Sequence, residues 1–174
     1  MSDEPIDWPR PPSLFWRLDE TNTPVKCQTW DEYFAWCHDL ETHKRDHHVG
    51  DDEIVKNGES IRVSTIFLMT PLPCDAAAEQ NRALFFETMI FGGPLDGLEV
   101  RYATWDEAAA GHQRVCAEVR RLLALSPEEL EAEMDQRAEG RYRFVREQAL
   151  ALGLPQDVAE KIGRAVAKPP RRGG

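Results

Sequence analysis

No apolar run in this sequence approaches the roughly 18 residues that a helix needs to cross a bilayer. No signal peptide precedes the four cysteines, and none of them belongs to a C-x-x-C pair. We therefore expect a cytoplasmic protein that has no membrane partner. Its thiols are expected to be reduced, at Cys27, Cys37, Cys74 and Cys116.

Basic residues are also scarce: 21 lysines and arginines stand against 31 aspartates and glutamates, which gives a net charge of −10. This balance argues against nonspecific binding to nucleic acids or acidic membranes, which requires clusters of positive charge. The basic tail at 168–172 is too short to change that conclusion. An acidic surface suits a basic partner, including a protein groove that normally holds nucleic acid, but it also suits a surface that is only solvated.

Signatures of catalysis are missing as well. The sequence has no G-x-S-x-G, no Walker lysine, no G-x-G-x-x-G and no H-E-x-x-H. A run of potential metal ligands extends from Cys37-His38 through His43 to His47-His48. Its spacing fits no standard zinc pattern, and a solvated helix end followed by a loop explains it. We predict no metal, no cofactor and no identifiable catalytic residue, which favours a protein that is not an enzyme.

One tetrapeptide occurs twice. Thr-Trp-Asp-Glu stands at 29–32 and again at 104–107, each time after a β pattern and before a helical one. Threonine is a good helix N-cap, and glutamate three positions later completes a capping box. Acidic residues in the first turn also suit the positive end of the helix dipole. The repeat therefore predicts two helix starts rather than a duplication or a shared binding site.

Periodicity predicts the other elements. Apolar residues at helical spacing predict helices, and alternating or β-branched runs predict strands. The predicted helices span 30–44, 104–124, 126–152 and 155–168. The predicted strands span 13–18, 25–28, 61–69, 83–91 and 98–103, and residues 45–60 are predicted to form a polar connection.

These elements predict an α+β fold. A small, mainly antiparallel sheet of about five strands is covered on one face by the helices at 30–44 and 104–124, and a C-terminal helical extension follows. The predicted domain limits are a flexible leader at 1–12, the α+β domain at 13–125, the extension at 126–168 and a disordered basic tail at 169–174. Apolar residues of the extension either pack on the domain or form a homodimer.

The central motifs resemble those of a family of small uncharacterised proteins found in tailed phages and prophages. The matching residues are Val63-Ser64-Thr65, Phe86-Glu87-Thr88-Met89, Phe91-Gly92-Gly93, Arg101-Tyr102, Thr104 and Gly111-His112. They fall in one order within residues 13–120, whereas the segment after Leu68, built around Pro71, Pro73 and Cys74, departs from the family pattern, and the helical extension looks like an addition. The resemblance implies a phage or prophage protein in the cytoplasm of a bacterial host, and it supplies no activity.

Seven residues form the candidate ligand-binding set. Glu87 is a carboxylate among aromatic residues, and Arg62 or Arg101 on neighbouring strands can pair with it, either in a ligand site or in a structural cross-strand ion pair. Gly92 and Gly93 suit either an anion-binding loop or a hairpin turn with positive φ. The set is completed by Tyr102 and by His112, which follows a mid-helix glycine and belongs either to a ligand site or to helix–sheet packing.

Three functional hypotheses remain open. The first is a non-enzymatic phage accessory protein that binds a host or phage macromolecule, with counter-defence as one use. The second is a small-ligand-binding protein or enzyme, which requires the seven candidate residues to line one pocket. The third is a virion or assembly component that oligomerises through its C-terminal helices.

Overall fold

The computed structural model describes residues 15–42, 47–72 and 83–167. Within these ranges the helices are α1 (Trp30–Glu41), α2 (Trp105–Ala124), α3 (Pro127–Ala151) and α4 (Gln156–Ala167). The strands are β1 (Trp16–Leu18), β2 (Pro24–Lys26), β3 (His48–Lys56), β4 (Glu59–Leu72), β5 (Leu84–Phe91) and β6 (Glu99–Tyr102). These elements confirm the predicted α+β class. The predicted leader and basic tail, together with His43 and Cys74, lie outside the described residues.

The chain divides into two compact units, residues 1–117 and 118–174, which we call the α+β unit and the helical unit. The division between the units falls between residues 117 and 118, inside α2, and the sequence places its domain boundary at 125.

The described strands of the α+β unit form two antiparallel sheets rather than the single sheet of about five strands. β1 pairs only with β2, while the other sheet has the order β3-β4-β5-β6, so every strand lies beside its neighbour in sequence. This second sheet contains a strand that the sequence patterns did not predict.

The prediction of a polar connection at 45–60 was wrong, because this segment contains β3. The strand carries three consecutive acidic residues, Asp51 to Glu53, which conceal the alternation expected of a strand. It joins β4 through Asn57 and Gly58, whose φ angles of 53° and 83° suit a tight two-residue hairpin. Lys56 and Glu59 face each other across that turn. The Asn-Gly pair is the sequence signal that predicts this hairpin.

The two faces of the four-stranded sheet differ in polarity. The inner face is buried and consists of Ile61, Val63, Thr65, Phe67, Phe86, Thr88 and Ile90. Helices α1 and α2 cover it: Trp36 contacts Phe67 with ring centroids 6.4 Å apart, and Trp105 meets Phe86 at 6.0 Å. The prediction that helices cover one face of the sheet is confirmed. The outer face carries cross-strand ion pairs.

Both Thr-Trp-Asp-Glu segments begin helices, as predicted. The Thr29 hydroxyl accepts a hydrogen bond from the backbone N–H of Glu32 at 3.2 Å, and the Glu32 carboxylate reaches back to the N–H of Gln28. At α2 the capping box is reciprocal, with Thr104 and Glu107 each accepting from the other's backbone N–H. The third amide of each helix is thereby satisfied, and at α2 the N-cap amide is satisfied as well. At α1 the glutamate binds the N–H of Gln28, one residue before the predicted partner Thr29.

The helical unit contains a helical hairpin formed by α3 and α4. A capping box between Ser126 and Glu129 begins α3, as its sequence predicts. Gly153, with φ of 80°, ends α3, and the N–H of Leu154 donates to the carbonyl of Ala149. Gly163 in α4 lies against Tyr142, where a Cβ atom would come within 2.9 Å of the ring. The hairpin therefore depends on two glycines for different reasons.

Two arginines and two glutamates form an ion network in the helical unit. Arg121 donates to Glu118 at 2.8 and 3.0 Å and to Glu133 at 2.9 Å, and Arg137 donates to both glutamates. The hydrogen bonds from Arg121 and then from Arg137 lower the pKa of Glu118 to about 2. Its carboxylate therefore contributes stability above its ordinary pKa near 4.5, and that contribution is lost as the pH falls towards 2.

Replacing this carboxylate is expected to remove a pH-dependent part of the stability. The difference in melting temperature between the wild type and Glu118→Gln, followed by circular dichroism, should be largest above pH 4.5 and should vanish as the pH approaches 2. Glu131→Gln, which changes an exposed glutamate of α3, is the matched control and should show a much flatter difference. If the melting-temperature differences of the two variants changed with pH in the same way, the Glu118 network would not be the source of the pH-dependent stability.

Candidate functional site

A cluster of five polar side chains, four of them buried, lies on the inner face between the sheet and α2. Its members, which we call the His112 cluster, are Asp52, Thr65, Thr88, His112 and Cys116. Thr65, Thr88 and Cys116 are fully buried, and His112 is 2% exposed. Buried polar groups cost free energy unless they are hydrogen-bonded, so each contact in this cluster matters.

The strand register brings the threonines and the aspartate together. Thr65 of β4 and Thr88 of β5 are direct partners in the ladder, and their hydroxyl oxygens lie 2.6 Å apart. On the other side of β4, Gly50 of β3 is the partner of Thr65. Asp52 lies two residues further along the same strand, so it projects from the same face.

Two glycines let the helix and the imidazole approach the sheet. A Cβ atom on Gly50 would lie 2.6 Å from ring atoms of His112, so only glycine leaves room for the imidazole over β3. A Cβ atom on Gly111 would lie 2.2 Å from the Tyr102 ring. The mid-helix glycine seen in the sequence therefore serves close packing of α2 against β6.

Both nitrogens of His112 are engaged. Nδ1 lies 2.8 Å from the hydroxyl of Thr65, and Nε2 lies 2.7 Å from the carboxylate of Asp52. When Nε2–H donates to Asp52, the Thr65 hydroxyl donates to Nδ1 and accepts from Thr88, which satisfies the chain of groups. The reverse hydroxyl arrangement serves an imidazole that carries its proton on Nδ1.

Cys116 lies one helical turn after His112, on the same side of α2. Its Sγ is 3.6 Å from Nε2 of His112. The carboxylate, imidazole and thiol together resemble the set of groups used in nucleophilic catalysis. However, Cys116 and Thr65 are fully buried, and a nucleophile must be reachable by its substrate. The cluster is therefore not arranged for acyl transfer.

Three of the seven candidate residues lie on the outer face of the sheet. Glu87 and Arg101 are direct partners in the ladder, and Nε of Arg101 donates to Glu87 at 2.8 Å. Arg62 donates to Asp51 at 2.7 Å and lies over the ring of Phe91, and its hydrogen bond lowers the pKa of Asp51. These contacts have the form of the structural cross-strand ion pairs that the sequence offered as an alternative.

The remaining four candidate residues lie elsewhere. Gly92 and Gly93, with φ angles of 87° and 70°, belong to the β5–β6 turn, where the Gly92 N–H donates to Asp96. Tyr102 and His112 lie on the inner side of the sheet. The seven residues are thus spread over two faces and a turn, and the single pocket that a small-ligand site needs is not formed by them.

Four members of the His112 cluster were not singled out from the sequence as site residues. The sequence places Asp52 in a connection, Thr65 and Thr88 in strands that carry the family-like motifs, and Cys116 in the predicted helix as one of four thiols. The Asn57-Gly58 pair is a hairpin signal, which predicts a strand before β4 and therefore places Asp52 beside β4. The sequence contains no local signal that joins Asp52 to His112.

No protein-family model, curated protein or solved structure matches the chain. The resemblance to phage and prophage proteins therefore stays a prediction. In the described part of the chain, no helix combines the length and apolar character that crossing a bilayer requires.

Proposed function

We propose that this is a non-enzymatic accessory protein of a phage or prophage, and that its α+β unit binds a basic protein of the bacterial host. The partner chemistry is a positively charged surface of the kind that normally holds nucleic acid. Countering a host defence protein is one role that such binding would serve. The phage context is supported only by the family resemblance.

The distribution of charge between the two units carries this proposal. Residues 1–117 contain 21 of the 31 acidic residues and 10 of the 21 basic ones, a net charge of −11. Residues 118–174 contain the other 10 acidic and 11 basic residues, a net charge of +1. The acidic excess therefore belongs entirely to the α+β unit, and a field of one sign steers an oppositely charged partner.

The β3–β4 hairpin is the part of the α+β unit best suited to this binding. In the described sheet β3 is an edge strand, and Asp51, Glu53 and Glu59 are exposed on this hairpin. Acidic residues on an edge strand also prevent sheet-to-sheet aggregation, which is their simplest role. A role in binding differs from this one in a measurable way, because removing these charges should then lower the affinity for the basic partner.

The proposal is tested with an immobilised full-length protein and a nuclease-treated bacterial extract. A stoichiometric basic protein should be retained at low salt and released by excess duplex DNA, because both compete for one positive surface. The triple variant Asp51→Asn, Glu53→Gln, Glu59→Gln should weaken retention at least about tenfold. The matched control neutralises three exposed acids of α3, Glu131, Asp135 and Glu139, and should retain the partner.

Capture of a protein that duplex DNA does not release, and that both triple variants retain equally, would contradict the proposal. Failure of the folded wild type to retain any stoichiometric partner would contradict it as well. Circular dichroism of each variant provides the check that the fold is unchanged.

A second candidate, self-association through the helical unit, is favoured by apolar side chains exposed there. Phe144 is 64% exposed, Leu152 81% and Val166 50%. The near-neutral charge of this unit adds little repulsion at a contact between two such units, so a second copy of the chain is the partner it suits. Light scattering after size exclusion should give a dimer that Phe144→Ser converts to a monomer; a monomeric wild type would exclude this candidate.

A further inference from the structure

We propose that Asp52, His112 and Cys116 bind a zinc ion, with water or a small ligand in the fourth position. The sequence patterns predict no metal, because only the cysteine and histidines at 37–48 stand close enough together to suggest one. The fold brings together three residues that stand far apart in the sequence. Among the described residues, they are the group whose carboxylate oxygen, imidazole nitrogen and thiol sulfur all lie within 4.8 Å of one another.

One of the three donor-atom separations already suits a tetrahedral ion, and a second needs only a small opening. Typical zinc–ligand bonds of about 2.0–2.3 Å place neighbouring ligand atoms roughly 3.3–3.7 Å apart. The Sγ of Cys116 already lies 3.6 Å from Nε2 of His112. The carboxylate of Asp52 lies closer, 2.7 Å from Nε2, because a hydrogen bond joins them. Replacing that hydrogen bond by an ion requires an opening of about half an ångström.

The surroundings orient His112 as a metal ligand requires. Metal-binding histidines usually donate the other ring N–H to a fixed acceptor, which sets the tautomer and the direction of the ring. Here Nδ1 faces the Thr65 hydroxyl at 2.8 Å, and Thr65 in turn faces Thr88. The imidazole also lies over Gly50, which has no side chain to displace it. Nε2 therefore points at the two other ligands from a fixed position.

Proton transfers accompany zinc binding. The imidazole proton leaves Nε2, and Nδ1 becomes protonated and donates to Thr65, while Thr65 turns its hydroxyl hydrogen towards Thr88. The Cys116 thiol releases its proton to solvent, so about one proton is released for each ion. The charges of Zn²⁺, the thiolate and the carboxylate then sum to zero, which reduces the cost of burying each of them.

Asp52 provides the route to solvent. Its side chain is 39% exposed, whereas His112 and Cys116 are almost fully enclosed. An ion entering from this side meets the carboxylate first, and the fourth position opens in the same direction. Zinc accepts imidazole nitrogen, thiolate sulfur and carboxylate oxygen as ligands, and sites with three protein ligands leave a fourth position open.

The proposal is tested by titrating untagged, fully reduced, metal-free full-length protein with Co²⁺, which reports zinc-like sites by its colour. One Co²⁺ per chain should bind, with tetrahedral d–d absorption and a thiolate-to-cobalt charge-transfer band, and Zn²⁺ should displace it. Cys116→Ala should abolish the charge-transfer band, and Asp52→Asn, which still accepts a hydrogen bond from His112, should weaken Co²⁺ affinity more than about 100-fold.

Controls come from the same chain. Cys37→Ser and His38→Gln alter a thiol and an imidazole in α1, outside the cluster, and should leave the Co²⁺ spectrum and affinity unchanged. Circular dichroism and the melting temperature without metal identify any variant that has lost its fold. The proposal is overturned if Co²⁺ binds no more tightly to the folded wild type than to folded Cys116→Ala, or if its spectrum lacks the thiolate band.

Discussion

Gly111→Ala is expected to destabilise the α+β unit by about 2–3 kcal/mol, although alanine is the better helix former by about 1 kcal/mol. The added Cβ would lie 2.2–2.3 Å from three atoms of the Tyr102 side chain. Tyr102 is buried in β6 beside Phe86, so its ring has little room to move away. Either α2 shifts outward or the ring is displaced, and both weaken the contacts around His112.

Gly140→Ala is the matched control, because Gly140 also lies within a helix but a Cβ atom added there would have no neighbouring atom within 4 Å. This variant should be more stable than the wild type by about 0.5–1 kcal/mol. Urea denaturation followed by circular dichroism measures both free energies of unfolding. Equal, stabilising effects of the two substitutions would mean that α2 does not approach β6 as closely as the structure indicates.

The two threonines of the His112 cluster are expected to respond very differently to the same substitution. Thr65→Val should cost about 2–4 kcal/mol, because it leaves both Nδ1 of His112 and the Thr88 hydroxyl buried without a partner. Thr88→Val should cost about 1 kcal/mol or less, because the hydrogen bond between Thr65 and His112 remains. Valine has nearly the shape of threonine, so neither variant opens a cavity.

The unfolding free energies of the two variants and of the double variant test this asymmetry. The double variant should cost no more than Thr65→Val alone, because it also removes the buried Thr88 hydroxyl that the single variant leaves without a partner. Equal losses of unfolding free energy in the two single variants would contradict the arrangement in which Thr65 hydrogen-bonds both His112 and Thr88.

Sequence alone predicted the elements whose signals are local. The start of α2 follows from Thr104 and Glu107, because a capping box needs only residues three positions apart. The β4 and β5 strands follow from their runs of β-branched and aromatic residues. The same patterns did not predict β3, because its three consecutive acidic residues interrupt the alternation. A strand at the edge of a sheet can carry charged residues on both faces.

The site depends on information that no short stretch contains. Asp52 and His112 are 60 positions apart, and they meet only because Gly50 pairs with Thr65. A slip of one residue in that register would turn Asp52 to the opposite face. Alternation did place Glu87 and Phe91 on one face of β5, but it did not decide which face the helices cover, because both faces carry aromatic residues.

The order of the strands has a consequence for how the chain is made. Since β3, β4, β5 and β6 are neighbours both in the sheet and along the chain, each hairpin can close as soon as its second strand leaves the ribosome. The half of the sheet that awaits α2 is then briefly bare, with Phe86 and Ile90 open to chaperones or to other nascent chains. Emergence of residues 105–117 from the ribosome ends that interval, so a pause that holds this segment inside the ribosome after β6 has emerged should be the moment of greatest risk of aggregation.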